Sequence, residues 1–90
     1  MRVIEKNIDP EYFQEILDGK KTYELRLNNF EISEGDTLRL IEWHRETGVL
    51  TGRIIEKKVS FVRSWKFEDL EKFYTKQDIE KYGIQVISLL

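Results

Sequence analysis

Ninety residues make one small domain with room for a single core. The chain has no cysteine and one histidine, which excludes disulfides and argues against a zinc site. A net charge of −2 gives no bulk attraction to nucleic acid, no apolar run nears the ~18 residues of a membrane helix, and Met1 to Asp18 is charged from its second residue and does not read as a signal peptide. A cytoplasmic setting is the expectation that follows.

Arg2 to Asn7, with Val3 and Ile4, reads as an opening strand. Asp9 is a good N-cap, and Pro10 suits the first helical position, where its missing N–H costs nothing. Tyr12, Phe13, Ile16 and Leu17 supply the apolar stripe of a helix over 10–18. Gly19 is placed to end that helix in the left-handed conformation. Thr22 to Asn28 is predicted to be a strand with Thr22, Glu24 and Arg26 on one face. Its other face, Tyr23, Leu25 and Leu27, is expected to meet the core.

Gly35-Asp36 marks a turn. Thr37 to Trp43 alternates as a strand, and Arg45 to Gly48 makes a hairpin loop. Leu50 to Ser64 is β-rich, but its phase slips, which predicts a bulge near Glu56 to Lys58. Short helices are expected around Glu68 to Phe73 and Lys76 to Lys81, and a closing strand over Ile84 to Leu89. This order predicts an α+β domain across 1–90: a small, mixed, mostly antiparallel β-barrel with an early helix packed on it.

Charge is unevenly spread. Residues 51–66 carry five cations (Arg53, Lys57, Lys58, Arg63 and Lys66) against Glu56 alone. With Phe61, Trp65 and Phe67 interleaved, this segment has the composition of a single-stranded nucleic-acid surface. The competing reading places the rings in the core, Phe61 above all. Lys20 and Lys21 either complement the helix C-terminus or meet a phosphate. Glu24 and Arg26 either form surface ion pairs, or bind a ligand through a guanidinium on phosphate and a carboxylate on a base amine. Buried charges in a cleft must be paired, so Glu24 is expected against Lys21 or Arg26. His44 has no nucleophile motif to serve and reads as an exposed hairpin residue. No phosphate loop or dinucleotide motif is present, and no cofactor is implied.

Gly19, Lys21, Glu24 and Arg26 form a G-x-K-x-x-E-x-R segment. Together with Pro10 to Phe13, Gly35-Asp36, Glu42-Trp43 and Thr51-Gly52-Arg53, it resembles the ASCH domains of the PUA-like superfamily, in a compact prokaryotic and phage branch. The resemblance implies a PUA-like β-barrel whose signature residues line a cleft that binds RNA or a nucleotide. In a small amidohydrolase branch a lysine matching Lys21 is catalytic and acts on acetylated cytidine. That branch carries threonine where this chain has Glu24, a departure that favours binding over that chemistry.

The expected function is therefore binding of RNA or a modified nucleotide through Lys21, Glu24 and Arg26. Arg53, Lys57, Lys58 and Trp65 are expected to extend the surface. Hydrolysis of a modified cytidine or of RNA by Lys21 and Glu24 is the alternative, and a protein-interaction module is a second one.

Overall fold

Leu38, Leu40 and Glu42 alternate with Thr37, Arg39, Ile41 and Trp43, and this period of two organises the molecule. The computed structural model describes residues 1–89. Its elements in chain order are β1 (Val3–Ile8), α1 (Pro10–Leu17), β2 (Thr37–His44), β3 (Val49–Lys58), α2 (Phe67–Glu71) and α3 (Lys76–Tyr82). β2 is the central strand of a three-stranded sheet in the order β1-β2-β3. It pairs in parallel with β1, Val3 opposite Thr37 through Ile8 opposite Glu42. With β3 it pairs antiparallel, Thr37 opposite Lys58 and His44 opposite Val49.

Helix α1 covers the face formed by Leu38 and Leu40. Phe13 and Ile16 meet Ile8, Leu38 and Leu40 in one core, flanked by Ile4, Ile32, Ile55 and Val59. The helix ends as its sequence predicts. Gly19 takes φ +76°, the Gly19 N–H donates to the Ile16 carbonyl, and the Lys20 N–H reaches back to the Glu15 carbonyl. This is a Schellman motif, which fixes the direction in which the chain leaves the helix. Asp9 occupies the N-cap, but its carboxylate makes no capping bond and turns to Arg45 instead.

Several expectations are corrected. Among the described residues the three strands form an open mixed sheet, not a mostly antiparallel barrel. The parallel β1–β2 pair forces a long crossover, and residues 9–36 supply it. Thr22 to Asn28 is not a strand: Glu24 and Arg26 are tied to side chains and to the Asn7 carbonyl, not into a ladder. Leu25 and Leu27 are 76% and 80% exposed, so the core face assigned to them does not exist. Residues 84–89 form no strand, and Phe61 is exposed.

The bulge lies elsewhere too. Ile41 pairs with Ile54 and Trp43 with Leu50, so Thr51, Gly52 and Arg53 together face Glu42. Gly52 takes φ +94°, a conformation that strains any residue with a side chain. Beyond β3 the chain is loosely packed. Ile79 is the one buried side chain described between residues 60 and 89. The radius of gyration is 15.1 Å, against about 12 Å for a compact chain of this length. No helix of the described residues is long and apolar enough to cross a membrane.

Candidate functional site

The Schellman turn delivers Lys21 to the flank of α1 that faces β1. There the Lys21 Nζ donates to Glu24 Oε1 at 3.0 Å, and the Arg26 Nε donates to Glu24 Oε2 at 2.7 Å. Arg26 also donates from Nη2 to the Asn7 carbonyl of β1 at 2.9 Å, which anchors the irregular segment to the sheet edge. One carboxylate thus bridges two cations. Both Lys21 and Glu24 are largely shielded, at 15% and 16% side-chain exposure. A charge-assisted trio at this depth is held more firmly than a solvated surface pair.

The Lys21 ammonium also sits 4.8 Å from the Tyr12 ring centre and 5.4 Å from that of Tyr23. Both lie within the range of cation–π attraction. These groups line a cleft of about 590 Å³, together with Lys6, Asn7, Asp9, Asn29, Phe30 and Arg45. Lys6 lies 3.8 Å over the Phe30 ring, and Arg45 reaches from the hairpin to Asp9. The cleft offers cations for an anion, ring faces for stacking, and asparagine amides for a polar edge. Its volume suits a small ligand.

Three of the candidate residues lie together. Lys21, Glu24 and Arg26 share this cleft, and the pairing expected of Glu24 is present with both cations at once. The other proposed contacts lie apart. Lys57 and Lys58 end β3, opposite Leu38 and Thr37. Trp65 is exposed just before α2. His44 is exposed at the end of β2.

Arg53 belongs to a second cluster, on the opposite flank of α1. Its Nε and Nη2 donate to the two oxygens of Glu42 at 2.9 and 2.7 Å, and the Thr51 hydroxyl donates to the same carboxylate. The guanidinium lies 4.6 Å from the Phe13 ring centre and bonds Gln14 through Nη1. Glu42 is 2% exposed. The bidentate bond from Arg53 holds its carboxyl down to about 2, and the Thr51 hydroxyl adds to this against the cost of burial. The same pairing raises Arg53. Sequence reasoning did not assign Glu42 a role. The signal was its place in phase with Leu38 and Leu40, since a carboxylate on a core row must find a cation. Asp36 is buried as well. It accepts from the N–H groups of Arg2 and Ser33, and its carboxyl is lowered mainly by these two bonds.

A small α+β domain with a cationic, ring-lined cleft beside its first helix is the class these features define. The chain belongs to the family described as a domain of unknown function, DUF3850, whose model matches residues 5–76. It is also 38% identical over 61 residues to an "Uncharacterized 12.9 kDa protein in GpA 3'region" of Escherichia phage P2. That match covers 68% of this chain and 54% of the phage protein, so the chain spans about half the length of this curated relative. No solved structure matches the chain.

Proposed function

We propose that this DUF3850 domain is of the ASCH type, related to PUA-like domains, and binds RNA or a modified nucleotide in the cleft beside α1. The observation that carries this reading is the Lys21–Glu24–Arg26 trio, held in one cleft with Tyr12 and Tyr23. Lys21 and Arg26 are the anion contacts. Glu24 is the positioning residue that aims both and keeps them from repelling each other. Tyr12, Tyr23 and Phe30 offer faces on which a base can stack, a contact that tolerates any base.

A hydrolase is the second reading, favoured by the 3.0 Å contact that places a carboxylate directly on the Lys21 amine. Against it, that contact engages the amine as an ion-pair partner, whereas a nucleophilic lysine needs its lone pair.

The test is binding of short single-stranded RNAs at low salt. Phosphate contacts make the logarithm of affinity fall linearly with the logarithm of salt concentration. Lys21→Ala and Arg26→Ala are each expected to weaken binding about tenfold, or about 1.4 kcal/mol. If no RNA or nucleotide binds at low salt, the reading is wrong. If Lys21→Ala instead abolishes turnover of a modified cytidine while binding survives, the hydrolase reading replaces it.

A further inference from the structure

The charge inside the cleft does not match that of the chain. Lys6, Lys21, Arg26 and Arg45 face it against Asp9 and Glu24, an excess of two positive charges in a protein of net charge −2. The excess has a definite location. Arg45 is matched by Asp9, whereas Lys21 and Arg26 share the single carboxylate of Glu24. Lys6 lies over the Phe30 ring. One surplus charge therefore belongs to the trio and one to Lys6, and both border the same space.

An internal phosphodiester carries one negative charge and a nucleoside none. A terminal phosphate monoester carries roughly −1.5 to −2 at neutral pH, with three acceptor oxygens. Among ligands that place a single phosphate group in the cleft, the monoester is the one that balances the excess. The cleft is also only partly screened, because Lys21 and Glu24 are mostly shielded from water. A second ligand charge therefore counts for more there than on an open surface.

We infer that the cleft selects a nucleotide with a terminal phosphate monoester, whose dianionic group is drawn to Lys6, Lys21 and Arg26 while its base meets the tyrosine rings. This inference rests on the binding function proposed above and narrows its ligand class. The phosphate can belong to a free mononucleotide or to the phosphorylated end of an RNA strand.

The experiment is calorimetric titration of the whole chain with five probes: cytidine 5′-monophosphate, its methyl phosphate ester, cytidine, and a tetranucleotide with a 5′-phosphate or a 5′-hydroxyl. The monophosphate is expected to bind about tenfold more tightly than its methyl ester, which keeps every atom of the phosphate but loses one charge. The 5′-phosphate should confer a similar gain on the tetranucleotide if strand ends are the source, and little if the source is the free nucleotide. Lys6→Gln is expected to shrink the monophosphate-to-ester ratio. Lys76→Gln, the same charge change on α3, should leave it as in the wild type. Equal affinities for monophosphate and ester, or 5′-hydroxyl RNA binding as tightly as 5′-phosphate RNA and the mononucleotide, would overturn the inference and leave the binding reading intact. No binding of any probe would overturn both.

Discussion

Glu42 is a buried carboxylate whose two oxygens take three donated hydrogen bonds, two of them from one guanidinium. Hydrogen bonds to charged groups are worth more than neutral ones, so Glu42→Gln is expected to cost about 2 kcal/mol at neutral pH, read by urea denaturation. The pH dependence has a definite sign. The folded carboxyl sits at about 2, below its ordinary value of 4.5. Its stabilisation is therefore complete above the ordinary value and is lost as pH falls toward 2. The stability gap between wild type and Glu42→Gln should hold steady through neutral and mildly acidic pH and close below about pH 4.5. A gap that persists near pH 2 would contradict the assignment. Asp36, also held low, adds the same acid sensitivity to both proteins and cancels in the difference. At this scale the Lys21, Glu24 and Arg26 trio was legible, because its spacing and its need for charge pairing are local. The partnership of Glu42 with Arg53 was not, because it depends on strand register.

The turn after α1 connects residue chemistry to the fold. Gly19 holds φ +76°, and a Cβ added there would meet nothing within 4 Å. The cost of Gly19→Ala is therefore conformational, about 1–2 kcal/mol. The same change should swing Lys21 away from Glu24. The expected result is a lower thermal midpoint together with weaker binding of the proposed RNA ligand, and Gly19→Asn should be milder on both counts. Unchanged ligand affinity in folded Gly19→Ala would show that this turn does not set the Lys21 position. Elements with strong local signals were readable. Helix α1 carries a proline start, an apolar stripe and a glycine stop, and the hairpin at 45–48 falls where expected. The Thr22 to Asn28 segment misled because its alternation is real, but its charged side chains bond within the segment and to β1. The bulge misled for a different reason: phase slip signals irregularity, and only pairing with β2 locates it at Thr51 to Arg53.

At the scale of the whole molecule, one well-packed unit carries a less packed remainder. The core joins α1 to the sheet, while α2 and α3 leave Phe61, Trp65, Phe73, Tyr82 and Ile87 more than half exposed. Amide exchange should follow that division. β2, bonded on both sides, is expected to be protected longest, and residues 60–89 to exchange much faster. Uniform protection along the chain would mean that the remainder packs as firmly as the core. The open sheet was not legible in the sequence, since a barrel and an open sheet differ in distant strand pairings that alternation does not encode.

Because β1 and β2 run side by side in the same direction, the chain must travel the length of the sheet between them. Most of the cleft is built on that return journey, residues 9–36, with only Lys6, Asn7, Ile8 and Arg45 contributed from outside it. The same stretch also serves the frame, since Phe13, Ile16 and Ile32 within it pack in or against the core. Changes at its exposed lining positions, such as Leu25 and Leu27, can therefore reshape the cleft and leave the sheet intact, whereas changes at Phe13 or Ile16 disturb cleft and core together.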